Sequence, residues 1–169
     1  MPGKRLRVRV GVIVIHEGKV LLARQHLSDG QDFWIVPGGG LKKDEGLMDC
    51  ARREIAEETG LEIEPLRLLY VGDFFKADRH VVDTFWLGRI VGGELRRRED
   101  EIDNLRFFEV QRLSQLDVKP PALAERLASD VRCGFSSETV YLGKYFRSPG
   151  QVAADREEPP TGERRTGSG

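Results

Sequence analysis

From Leu6 to Ile15 the chain reads LRVRVGVIVI, alternating at first and then almost continuously apolar. Alternation with a period of two marks a half-buried strand, and an unbroken apolar run marks burial on both faces. The segment therefore predicts a strand that goes deeper along its length. Glu17-Gly18-Lys19 predicts a turn, and Val20-Leu21-Leu22-Ala23 the returning arm of a hairpin. The polar stretch Arg24 to Asp32, with Asp29-Gly30 inside it, reads as a loop. Phe33-Trp34-Ile35-Val36 reads as a short strand stopped by Pro37 and by Gly38-Gly39-Gly40.

The apolar period then lengthens to that of a helix, from Leu47 to Thr59, with Asp44 as candidate N-cap and Gly60 at the left-handed position that ends many helices. Leu61 to Phe75, Val81 to Ile90 and Leu105 to Val110 read as strands, with a turn at Gly92-Gly93. Pro121 to Val131 carries Ala, Leu, Leu and Val at helical spacing, with Pro121 in a favourable first-turn position. Thr139 to Phe146 reads as a last strand. Hairpins and strands around two helices make an α+β domain, expected over residues 1–147. From Ser148 on, SPGQVAADREEPPTGERRTGSG has almost nothing apolar to offset the entropy of ordering it, so residues 148–169 are expected to be a flexible polar tail.

Composition narrows the function classes. At 169 residues the chain fits one domain. Its 27 Lys and Arg against 28 Asp and Glu leave a net charge of −1, so bulk charge does not hold it to nucleic acid, and no DNA binding is expected. No apolar run is long enough to cross a membrane, and Met1-Pro2-Gly3-Lys4-Arg5 lacks the apolar block of a signal peptide. Cys50 and Cys133 are too few for a disulfide framework. A reducing, cytoplasmic setting is the expectation.

The helix from Leu47 carries the chemistry. Leu47, Cys50 and Ala51 open an apolar stripe that continues, at spacings of three and four, as Glu54, Glu57 and Glu58. Like charges stacked on one helix face repel, and burial raises the cost unless a cation offsets it. An all-oxygen donor set suits a hard ion such as Mg²⁺ or Mn²⁺ rather than zinc. The plain alternative is a solvated acidic helix.

The flanks decide between these. Gly39, Glu45, Arg53, Glu54, Ile55, Glu57, Glu58, Gly60 and Leu61 match, without exception, the pattern Gly-x5-Glu-x7-Arg-Glu-aliphatic-x-Glu-Glu-x-Gly-aliphatic. This resembles the signature of the Nudix hydrolases, and Trp34-Ile35-Val36-Pro37-Gly38-Gly39 resembles the family's strand and turn leading into it. The resemblance implies a Nudix-type α/β/α sandwich with a mixed central sheet, whose loop and helix present carboxylates to Mg²⁺ (or Mn²⁺) on a substrate diphosphate. It implies hydrolysis of a nucleoside diphosphate linked to another group X. By position, Glu57 and Glu58 would be principal metal ligands and Glu54 a further ligand or the water-activating base. The Gly39 carbonyl would complete the metal shell, and Arg53 would pair with Glu45 to orient the carboxylates. The ordinary alternative for Arg53 is an i,i+4 pair with Glu57.

Two regions outside the motif bear on details. Lys42-Lys43-Asp44 stands where many similar enzymes carry an acidic residue, which leaves metal number and phosphate contacts open. Glu99-Asp100-Glu101 precedes the strand at Leu105; similar enzymes use a carboxylate from this loop near the metal, and Glu101 is the best positional match. Charge balance against Arg96-Arg97-Arg98 is its plain alternative. Phe74-Phe75-Lys76 and Arg79-His80 offer stacking and cationic groups to a nucleotide, with a strand-end or core role as the bland reading. Trp34 is expected to be half-buried, and His80 structural.

The substrate stays open between a nucleotide sugar such as ADP-ribose and a nucleoside triphosphate. A non-catalytic nucleotide-binding regulator on the same domain is the alternative class. It is disfavoured because every carboxylate of the motif is present and there is no room for an added DNA-binding segment. An isopentenyl-diphosphate isomerase is disfavoured because its cysteine arrangement is not evident. A homodimer paired through the basic strand start Lys4–Arg9 is an expectation by analogy alone.

Overall fold

The computed structural model describes residues 5–26, 30–76, 79–95 and 105–146. In chain order the elements are β1 (Arg5–His16), β2 (Lys19–His26), β3 (Asp32–Ile35), β4 (Gly38–Gly40), α1 (Leu47–Thr59), β5 (Leu61–Lys76), β6 (Arg79–Gly93), β7 (Leu105–Glu109), a 3₁₀ turn (Val110–Gln115), α2 (Pro121–Cys133) and β8 (Val140–Phe146). The strands join in the order β3-β2-β1-β6-β5-β8, with β4 added to β1 and β7 to β2. β1 runs parallel to β6, and β5 parallel to β8, while the remaining pairings are antiparallel, so the sheet is mixed.

β1 earns its central place by being apolar on both faces at its deep end. Val10, Val12 and Val14 face one core with Cys50, Ala51 and Ile55 of α1. Ile13 faces a second core with Leu123, Ala124 and Leu127 of α2. One helix on each side of the sheet is the α/β/α arrangement that the resemblance implies. The buried Asp130 of α2 is matched by the Tyr70 hydroxyl, which donates to it at 2.7 Å, and by Arg126 Nε at 2.9 Å. Burial and the Asp130 bond both push the Tyr70 hydroxyl pKa up, so it stays a donor.

The structure corrects several local expectations. Arg24 to His26 continue β2 instead of opening a loop, and Arg24 pairs with Asp32 at 2.5 Å across the hairpin. Gly38-Gly39-Gly40 is not only a stop: it is a three-residue strand paired with Arg9 to Gly11. α1 starts at Gly46 with no side-chain cap, and Asp44 instead takes a left-handed conformation with φ of 62°. Gly60 ends α1 in the left-handed region with φ of 76°, where a β-carbon would be strained. Gly92 and Gly93 pair with Glu62 and Leu61 inside the β5–β6 ladder rather than turning the chain. Asp29, Arg96–Arg98, Glu99, Asp100, Glu101 and the segment from Ser148 lie outside the described residues.

Candidate metal and hydrolysis site

The site forms where α1 meets the glycine strand β4. At Gly38 the backbone takes φ of +145° and lies so close to the Val10 carbonyl that no β-carbon fits. The Gly38 N–H donates to Glu58 Oε2 at 2.9 Å. A β-carbon on Gly39 would fall within the Glu54 carboxylate, so that carboxylate rests directly on the backbone of β4. Two glycines thus let the acidic side of α1 approach the strand to contact distance.

Arg53 organises the rest. Its Nε and Nη2 donate to the two oxygens of Glu45, at 2.6 and 2.9 Å, a bidentate pair between loop and helix. Nη1 donates to Glu54 at 2.6 Å and to Glu57 at 3.2 Å, and Nη2 also reaches the Gly40 carbonyl at 3.3 Å. Both sequence readings of Arg53 are therefore present together. Arg53 is 20 % exposed, so these bonds are partly shielded from solvent. The Arg53 bonds and the Lys42 N–H, which donates at 3.0 Å, hold the Glu45 pKa at about 2, well below the usual carboxylate value. Arg53 itself is driven above its ordinary value by Glu45 and Glu54.

The apolar stripe of α1 differs from its expected course. It runs through Cys50, Ala51, Ile55 and Thr59, which are buried, while Glu57 and Glu58 are exposed and Glu54 half-buried. The carboxylates flank the buried face, so solvent screens much of their mutual repulsion. Burial, followed by the charge of Glu45, pushes the Cys50 thiol up to about 11. It stays a thiol at neutral pH, with the Gly40 carbonyl 3.7 Å away.

Oxygen donors dominate here: three carboxylates and the backbone carbonyls of β4. That chemistry fits a hard divalent ion. Glu54 and Glu57 turn onto Arg53 and Glu58 onto the Gly38 N–H, and among the described residues no three His, Cys, Asp or Glu side chains surround one point. Holding an ion calls for rotation of these flexible side chains about a backbone already in place.

Residues named outside the motif fall into two groups. Trp34 is half-buried, edge-on to Phe108 with ring centroids 4.7 Å apart. His80 Nε2 lies 2.5 Å from Asp73 and the ring stacks on Phe75 at 4.3 Å, a structural arrangement away from the carboxylates. Phe74 and Phe75 belong to neither core. Arg9, which the sequence reading placed only in the basic start of the first strand, is a partly buried cation of β1 that pairs with Gly40 of β4, and its place between Val8 and Val10 made it legible only as an alternating strand residue.

A family model described as NUDIX domain matches residues 5–129. Phosphatase NudJ of Escherichia coli (strain K12) is 28% identical over 142 residues, covering 80% of this chain and 87% of that protein. Among solved structures, an ADP-ribose pyrophosphatase from Streptococcus suis is 26% identical with a TM-score of 0.60, covering 80% of this chain and 98% of that one. A NUDIX hydrolase from Nitrosomonas europaea shares the fold, with a TM-score of 0.67 at 22% identity over 83% of this chain and 79% of that one. Among the described residues no helix is long and apolar enough to cross a membrane.

Proposed function

The chain belongs to the NUDIX domain family and is a hydrolase of it, and on that footing we propose that it is a Mg²⁺-dependent pyrophosphohydrolase. Its substrate is a nucleoside diphosphate linked to a further group, either a nucleotide sugar such as ADP-ribose or a nucleoside triphosphate. The observation that carries this reading is the seating of the Glu54 and Glu58 carboxylates on the backbone of Gly39 and Gly38, which puts two carboxylates of α1 beside the carbonyls of β4. The names of the relatives support hydrolysis at phosphorus: one is called a phosphatase and another an ADP-ribose pyrophosphatase.

In this reading Glu57 and Glu58, with the Gly39 carbonyl, would hold the ion, and Glu54 would be a further ligand or the water-activating base. When bound, Mg²⁺ (or Mn²⁺) offsets the charge of the diphosphate and lowers the pKa of a coordinated water. Glu54, where it is not a ligand, would accept the proton of the water whose oxygen bonds to phosphorus as the bridging P–O bond breaks and the second phosphate leaves, and Glu101, outside the described residues, is the other group that would fill this role. Arg53 and Glu45 touch neither water nor phosphorus; they keep the loop and helix in register so that Glu54 and Glu57 point to one side.

A mass-spectrometric substrate panel with Mg²⁺ and with Mn²⁺, using Glu58→Gln as control, tests the proposal. Cleavage of ADP-ribose, a sugar nucleotide or a nucleoside triphosphate by the wild type alone is the expected outcome, and the products identify the phosphorus attacked. No cleavage across the panel, with a nucleotide still raising the melting temperature, would replace hydrolysis with the regulator reading.

A further inference from the structure

On the α2 side of the sheet, two residues along from the pair formed by Gly11 and the core residue Phe85, Arg9 of β1 lies opposite Asp83 of β6. Arg9 Nη1 donates to Asp83 at 3.2 Å and Nη2 to the Val36 carbonyl at 2.8 Å. Two of the five guanidinium donors are thereby used, and the others have no partner among the described residues. Arg9 is 19% exposed and Asp83 10%, so this is a mostly shielded cation that still reaches solvent. The Tyr145 hydroxyl of β8 donates to the second Asp83 oxygen at 2.5 Å, and its ring lies 5.2 Å from that of Phe74.

The arrangement is made room for. A β-carbon on Gly11 would stand 2.8 Å from Arg9 Nη1, and one on Gly72 would stand 3.2 Å from the Tyr145 ring. Phe74 and Tyr145 pack into neither core, so two large half-buried rings sit outside the packing that stabilises the fold. The cluster also adjoins the carboxylate site. Arg9 holds the Val36 carbonyl two residues before Gly38, whose N–H holds Glu58. Burial opposes the charge on Arg9, but Asp83, Tyr145 and Glu58 together more than offset it, which places Glu58 within its electrostatic reach.

Resting on the hydrolase reading above, we propose that Arg9 and the Phe74–Tyr145 pair form the substrate-binding face: the open guanidinium donors of Arg9 take an oxygen of the diphosphate, and the ring pair stacks on the base of its nucleoside. An arginine with donors to spare suits an anionic oxygen, and a ring pair outside the core suits a flat, weakly polar ligand. Asp83 orients Arg9 and is itself fixed by Tyr145. The substrate then lies across β1, β6, β5 and β8, with its diphosphate at the end nearest Glu58.

Isothermal titration calorimetry with α,β-methylene-ADP and with inorganic pyrophosphate, both in Mg²⁺, separates the two halves without requiring turnover. Arg9→Gln should weaken both probes by about tenfold or more, the range of a charge-assisted hydrogen bond. Phe74→Leu should weaken the nucleotide analogue by about tenfold and leave pyrophosphate unchanged. Arg89→Gln, an exposed cation paired with Glu64 elsewhere on β6, should change neither. Should Arg9→Gln fail to fold, NMR titration of the wild type decides, because α,β-methylene-ADP must shift the Arg9 Nε–H and the rings of Phe74 and Tyr145. Wild-type affinity retained in Arg9→Gln, equal weakening of both probes by Phe74→Leu, or no binding of either probe overturns the proposal. Probe binding at this face without cleavage of any panel substrate would instead overturn the hydrolase reading and leave this face standing.

Discussion

The two helices have equal lengths, 13 residues each, and lie on opposite faces of one sheet, yet they are built for different work. α2 starts on Pro121, buries Leu123, Ala124 and Leu127 in one core, and matches its single buried carboxylate, Asp130, with two donors. α1 buries Ile55 with two small residues, Cys50 and Ala51, and holds three carboxylates and an arginine along the flank. Small residues bring α1 close enough to β4 for Glu54 to touch Gly39. Burying a leucine is worth about 2 kcal/mol, so α2 contributes more to stability per turn, while α1 gives up that contribution for placement of charge.

That contrast can be broken most sharply at Glu58. Glu58→Gln should lower kcat by about a thousandfold, about 4 kcal/mol of barrier, with little change in melting temperature because the residue is exposed and an amide oxygen can still accept from the Gly38 N–H. Near-wild-type turnover in a steady-state assay would remove Glu58 from the site. The mirror experiment is Leu127→Ala in α2, expected to cost about 2–5 kcal/mol of stability by denaturant titration while the folded fraction keeps its kcat. Loss of turnover without loss of stability there would mean that the helices do not divide the labour this way.

Smaller effects sharpen the comparison inside α1. Arg53→Lys keeps the charge but cannot make the two-point bond to Glu45. A drop of about tenfold in kcat with KM nearly constant is the expected result, and unchanged kcat and melting temperature would show that the bidentate pair orients nothing. The smallest effect is on acid stability. Glu45 has a folded pKa of about 2 against an ordinary value of 4.5, so its contribution is complete above about pH 4.5 and is lost as pH falls towards 2. Thermal melts should show the wild type above Glu45→Gln at pH 6 and the gap closing between pH 4.5 and 2. A gap that stays constant over that window would leave the pair without a stabilising role.

Much of this was legible in the chain. Helix α1 falls at Leu47 to Thr59, as its period and Gly60 predict, and the charged spacing of its flank places the candidate carboxylates on one side. Other features were not legible for identifiable reasons. Gly38-Gly39-Gly40 carries no side-chain pattern, so nothing local says that it pairs with Arg9 to Gly11. Glu54, Glu57 and Glu58 continue the spacing of the apolar stripe closely enough to be placed on it, whereas Ile55 and Thr59 take the buried positions because the sheet lies a fraction of a turn to one side.

Local chemistry along the chain settled what the ends and periods of elements require: the left-handed stop at Gly60, the period of α1, the alternation of β1 and the residue types of the acidic motif. Only the tertiary structure decided which groups meet. Arg9 and Asp83 are 74 residues apart and Tyr145 and Asp83 are 62 apart, and they come together because β1, β6, β5 and β8 lie side by side. A hydrophobic period records which face a residue takes, since burial acts on each residue separately. It does not record the neighbour across that face, because pairing depends on the register of strands that are distant in sequence.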